Sequence, residues 1–132
     1  MVVKRLLVKL NLKYIPAIAY MILIFYMSSI PLELPEILDK LDPTKFTLHI
    51  AEYTILGYLL FIANKRLRIS FIISSFYGFA DELHQYFVPF RTFSLFDVFA
   101  DILGSLIGVI LAYKLSKIYY GRTKAISRKR NK

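Results

Sequence analysis

An all-α membrane protein, built as an antiparallel bundle of four transmembrane helices with both termini cytoplasmic, is the fold this sequence predicts. Three observations carry it. Apolar residues make up 57% of the chain and lie in long runs rather than alternating or following one face. Four of these runs are long enough, at about 1.5 Å per residue, to cross ~30 Å of hydrocarbon. Fifteen of the eighteen Lys and Arg residues fall on one side of the spans so defined, and the positive-inside rule makes that side cytoplasmic.

The first span is expected over residues 14–30. Lys4, Arg5, Lys9 and Lys13 precede it. A basic start and an apolar stretch ending at Ser28 and Ser29 mimic a signal peptide, but Tyr26, Met27 and Pro31 make a poor cleavage region, so the segment is expected to stay. The loop that follows holds Glu33, Glu36, Asp39 and Asp42. The second span is expected over 43–63, with Asp42 as N-cap and Pro43 in the first turn. Only Asn64, Lys65 and Arg66 separate it from the third, over 67–87. A tight basic turn between antiparallel helices is the simpler reading there, a re-entrant hairpin the alternative. The fourth span is expected over 93–113, where Ser94 and Asp97 have capping-box spacing. Eight more Lys or Arg follow Leu111, and residues 114–132 read as a basic cytoplasmic tail that anchors topology and attracts anionic lipid. The chain 1–132 is one domain without repeats. It has no Cys, which excludes disulfides, thiolate metal sites and Cys nucleophiles. The formal charge of +9 flanks apolar runs and forms no separate basic domain, so nucleic acid is not an expected partner.

Within residues 78–101 four carboxylates, a His, a Gln and an Arg interrupt sequence otherwise apolar enough for lipid. Ionisable groups at such depth are functional candidates. Antiparallel spans bring His49 and Glu52 on the second helix, Asp81 to Gln85 on the third and Asp97 and Asp101 on the fourth to one shallow layer near the extracytoplasmic face. Asp97, Asp101, Gly104 and Gly108 follow one stripe of the fourth helix, and Ser74, Gly78, Asp81 and Gln85 one stripe of the third, with Glu82 turned about 100° away. Gly104 and Gly108 read as a close-packing surface. Capping gives Asp97 a structural role but does not explain Asp101, one turn deeper.

The layer holds up to five acids against Arg91, Lys45 and two His. That excess cannot stay ionised in a dry bundle: protons, a water-filled cavity or a cation must balance it. The pairs His49/Glu52 and Asp81/His84, each at i, i+3, have the spacing by which helices present ligands to a divalent metal. A hydrogen-bonded polar network is the competing reading. Without a metal, His84 or His49 beside a carboxylate suits acid–base chemistry, and Arg91 suits an anionic head group. The acid–base candidates are His84, Asp81, His49, Glu52 and Asp97. Arg91, Gln85, Glu82, Tyr53 and Asp101 are candidates for holding a ligand. Ser28 and Ser29 are reachable hydroxyls that read as helix-end hydrogen-bonders.

The run YGFADELHQYFVPFRTFSLFDVFADILGSLIG, the upstream LHIAEYTILGYLL and FYMSSIP resemble the VanZ family of small membrane proteins. The family's polar positions map to His49, Glu52 and Tyr53, to Asp81, Glu82, His84 and Gln85, and to Pro89, Arg91, Asp97, Gly104 and Gly108. The chain departs from the pattern in three places: Phe90 stands where the family commonly has Gly, Asp101 where it commonly has Asn, and Lys45 lies four rather than three residues before His49. The resemblance implies an envelope protein whose name-giving relative is associated with teicoplanin resistance, and it implies no agreed biochemical activity.

Two functions are therefore expected. One is a membrane factor that engages an amphiphilic envelope molecule, such as a lipid-linked wall precursor or a lipoglycopeptide. The other is a membrane-embedded hydrolase or transferase acting on a lipid-linked substrate. An ion pathway is weaker, because the basic half shows no intramembrane polar residues to complete a route.

Overall fold

The computed structural model describes residues 12–30 and 45–130, with side chains as far as Gly121. Among the described residues there are four helices: α1 (Ile15–Ser28), α2 (Phe46–Asn64), α3 (Leu67–Gln85) and α4 (Leu95–Arg130). No strand occurs among the described residues.

The boundaries follow local chemistry. Pro16 sits in the first turn of α1, where its fixed φ suits the helix and its missing N–H costs nothing. The expected Asp42–Pro43 start of the second helix lies outside the described residues. Regular helix begins at Phe46, directly after Lys45 in the left-handed region (φ 56°). At the other end Lys65 is also left-handed (φ 60°), and its N–H reaches Phe61 O at 2.8 Å. Asn64 Oδ1 then accepts the Arg66 N–H at 2.6 Å and the Ser70 hydroxyl at 3.0 Å, an Asx-type device that closes the tight turn expected from three polar residues.

Helix α4 differs from expectation in length. It runs 36 residues to Arg130, so the segment expected as a separate basic tail continues the helix. Nothing after Ser94 breaks it: there is no Pro, Gly121 is tolerated at about 1 kcal/mol, and Lys, Arg, Leu and Ala are sound helix formers. Its start is capped as the spacing predicts, with Ser94 Oγ accepting the Asp97 N–H at 3.2 Å. The return bond departs from the capping-box pattern. The Ser94 N–H is accepted by Glu82 Oε2 from α3 at 3.1 Å, not by Asp97. Ser94→Ala is expected to lower stability by about 1 kcal/mol, read as a lower unfolding midpoint in detergent; an unchanged midpoint would show the cap to be idle.

Successive helices run in opposite directions. Ser105 Oγ donates to Ser74 Oγ at 2.7 Å, while Ser94, earlier in α4, meets Glu82, later in α3. The Tyr77 hydroxyl donates to Met21 O at 2.6 Å, and His84 lies beside Phe25 and Ser29, so α1 and α3 run the same way. Helices α2 and α4 are likewise parallel and form the closest contact. Gly104 faces Ile50 O, Gly108 faces Thr54 O, and Gly57 faces Ser105 O. Glycine at these points lets backbone meet backbone. Apolar clusters flank the seam: Ala17, Ile24, Tyr53, Leu56 and Leu60 between α1 and α2, and Phe61, Val109 and Ala112 between α2 and α4.

In α3 the distribution of side chains inverts that of a water-soluble core. Every buried residue of α3 is polar or glycine: Ser70, Ser74, Gly78, Asp81, Glu82 and Gln85. Its outer face presents Ile72, Phe76, Phe79 and Leu83. Polar groups inward and large apolar groups outward suit an apolar surrounding. Helix α2 and the segment Leu95–Gly121 are each long and apolar enough to cross a membrane. The other two, also expected as spans, do not meet that measure. With 14 residues, α1 is about 21 Å long, and α3 carries Arg68, Asp81 and Glu82.

Candidate functional site

The C-terminal ends of α1 and α3 meet the N-terminal ends of α2 and α4, and the layer expected there is assembled around two adjoining features. The first is a cavity of about 320 Å³. Glu52, Asp81, Gln85, Arg91 and His49 give it polar walls; Met27, Leu48 and Ile55 give it apolar ones. Gln85 Nε2 donates to Asp81 Oδ2 at 2.9 Å, which holds the carboxylate in place. Arg91 Nη2 donates to Met27 O at 3.3 Å and Ile30 O at 3.1 Å, tying the loop after α3 to the end of α1. A hollow of about 950 Å³ lies at the opposite end of α2, beside Ile62, Ala112 and Leu115, but its lining contains no carboxylate or imidazole.

The second feature lies behind His49. His49 Nδ1 is 2.9 Å from Asp101 Oδ1 and 4.0 Å from Glu82 Oε1. Glu82 and Asp101 are completely buried. Glu82, about 100° from the stripe of Asp81 and Gln85, still belongs to the layer as expected: between α2 and α4, α3 buries a face wider than one stripe, and the start of α4 anchors the carboxylate through the Ser94 N–H.

His84 is placed differently from expectation. It does not border the cavity; its ring stacks on Phe25 with centroids 4.4 Å apart, and its Nε2 lies 3.0 Å from Ser29 Oγ. Ser29 Oγ is also 2.6 Å from Phe25 O. A hydroxyl has one proton to give. The carbonyl takes it, so His84 donates to Ser29 and the pair is a structural tie rather than a base poised on a nucleophile. Neither i, i+3 pair is a hydrogen-bonded unit: His49 meets Asp101, Asp81 meets Gln85 and His84 meets Ser29, while Glu52 shares only the cavity wall with His49. Asp97 is half-buried at the head of α4, and Tyr53 is wholly buried against the core.

Unpartnered polar atoms gather at this end of the fold. Tyr53 OH, Asp81 Oδ1, Glu82 Oε1, Arg91 Nε, Asp97 Oδ1 and Asp101 Oδ2 are all buried without a hydrogen-bond partner, against Asn64 Nδ2 and Ser75 Oγ elsewhere among the described residues. Such a concentration of unpaired buried polar atoms calls for a proton, a water or an ion to satisfy it. Tyr20 also lines the cavity and was not singled out from the sequence. The signal was present in the spacing of Ala17, Tyr20, Ile24 and Ser28, which put Tyr20 on the inward face of α1.

A family model described as VanZ/LLP1 matches residues 13–117, a span holding all four helix starts and every residue of the layer. The chain belongs to the VanZ/LLP1 family. Neither curated proteins nor solved structures gave a match. The VanZ/LLP1 membership and the two membrane-length helices together point to a membrane protein.

Proposed function

We propose that this VanZ/LLP1 protein is a multi-pass membrane protein with four antiparallel spans and both termini cytoplasmic. Its cavity, opening toward the extracytoplasmic side, engages an amphiphilic envelope molecule such as a lipid-linked wall precursor or a lipoglycopeptide, linking it to glycopeptide resistance of the teicoplanin type. The basic flanks support the orientation. One observation carries the binding reading: a single cavity joins Glu52, Asp81, Gln85 and Arg91 to apolar walls continuous with the exposed Leu48 and Ile55. A polar head group and an acyl or prenyl chain need those two surfaces side by side.

The test is binding of labelled lipid-linked precursor to the full chain in nanodiscs. Asp81→Asn and Arg91→Ala are each expected to weaken binding at least about tenfold, as loss of a buried charged hydrogen-bond partner does, with membrane insertion intact. Wild-type affinity in both variants, or no binding by wild type, would overturn the reading.

A second reading, catalysis on the same ligand, is favoured by His49. It borders the cavity while Asp101 holds its Nδ1, leaving Nε2 to exchange a proton with a bound molecule. Release of product from the labelled precursor, lost in His49→Gln, is the expected sign; binding without turnover over a range of pH removes it.

A further inference from the structure

We propose that His49, Glu82 and Asp101 form a divalent metal site, distinct in its ligands from the i, i+3 pairs that the sequence suggests. One donor atom from each lies within 4.8 Å of the others, and all three residues are buried. They come from three helices, α2, α3 and α4, so the grouping is a product of tertiary packing.

The second observation is the state of the carboxylates. The Glu82 side chain is 0% exposed; one oxygen accepts the Ser94 N–H, and the other, Oε1, faces His49 without any hydrogen-bond partner. Asp101 is also 0% exposed and has Oδ2 without one. Two buried carboxylates with a single imidazole between them leave an excess of negative charge that no Lys or Arg among the described residues offsets by a salt bridge. A dication removes it and gives Oε1 a partner.

The geometry suits a metal after small side-chain movement. Ligands at about 2.0–2.2 Å from one ion are separated by roughly 3.0–3.4 Å, and the Nδ1–Oδ1 and Nδ1–Oε1 distances of 2.9 and 4.0 Å bracket that range. Binding replaces the Nδ1–H···Oδ1 hydrogen bond by coordination of Nδ1. The imidazole remains neutral by carrying its proton on Nε2. One nitrogen and two carboxylate donors suit Mn²⁺ or Zn²⁺ better than the all-oxygen shell preferred by Ca²⁺. Three protein ligands leave coordination positions open, and His49 forms the wall toward the cavity. The inference rests on these three residues and stands whether or not the cavity takes an envelope amphiphile.

The experiment uses the full chain purified without chelator, stripped, and titrated separately with Mn²⁺ and Zn²⁺, with bound metal measured directly. One ion per chain is expected for at least one of the two, with a rise in unfolding temperature on binding. Glu82→Gln preserves size and an acceptor for the Ser94 N–H; it is expected to weaken binding at least about tenfold, since even outer partners of a metal site have effects of that order. His84→Ala, outside the cluster, is expected to bind as wild type does. Pulsed magnetic resonance of the Mn²⁺-loaded wild type should show coupling to one imidazole nitrogen, a readout that needs no variant. No binding of either ion, equal binding by Glu82→Gln, loss of binding in His84→Ala, or no nitrogen coupling would each overturn the site in favour of a hydrogen-bonded ion pair only.

Discussion

Gly108→Ala is expected to prevent α2 and α4 from closing, and little folded protein should accumulate in membranes. A Cβ built at Gly108 overlaps Thr54 O and lies 2.8 Å from Thr54 C and 2.9 Å from Tyr58 N. These are backbone atoms in the middle of a helix, so no rotamer change relieves the contact; the helices must separate. Overpacking of this kind costs about 3 kcal/mol or more when the neighbours cannot yield, and here it also parts the helices that bring His49 to Asp101. Gly121→Ala is the matched control. Nothing lies within 4 Å of a Cβ there, and alanine is favoured over glycine in a helix by about 0.5–1 kcal/mol. Detergent unfolding of the two variants checks the argument. Equal midpoints for Gly108→Ala and wild type would mean that the seam is looser than its backbone contacts imply.

The other large effect belongs to the buried hydrogen bond between His49 and Asp101. In metal-free buffer, His49→Ala leaves Asp101 and Glu82 buried without their imidazole, at an expected cost of about 3–5 kcal/mol. The double variant with Asp101→Ala removes one of the stranded carboxylates. It should therefore lose less stability than the two single variants together, with a coupling between about 0.5 and 3 kcal/mol. Strict additivity would show that the 2.9 Å contact contributes nothing to stability.

How much of this was legible in the sequence differs from element to element. The helices and the tight turn at Asn64–Arg66 are written in apolar run length and in three polar residues. The continuation of α4 past Tyr113 is not evident in the sequence, where clustered Lys and Arg mark a basic topology-anchoring tail although the same residues propagate a helix well. The convergence of sequence-distant polar residues on one end followed from antiparallel order alone. Their grouping did not. A stripe drawn on one helix assumes one neighbour, whereas α3 packs against α1, α2 and α4 and directs His84, Glu82 and Asp81 to different places. Glu82 also depends on the non-local Ser94 N–H, for which no local spacing gives a signal.

Phe90 occupies the left-handed region at φ 65° and is 95% exposed, at the position where the resemblance described above implies glycine. The turn from Val88 to Arg91 closes with the Arg91 N–H on Val88 O at 3.2 Å, so the aromatic ring is accommodated at a backbone cost of about 1 kcal/mol without displacing Arg91. In a membrane orientation this rim of Phe87, Phe90, Leu95 and Phe96 meets the head-group zone, where aromatic rings settle. On the proposed function the loop would act as a float, setting how far the bundle rides in the bilayer and with it the height at which a lipid-borne molecule would meet Arg91.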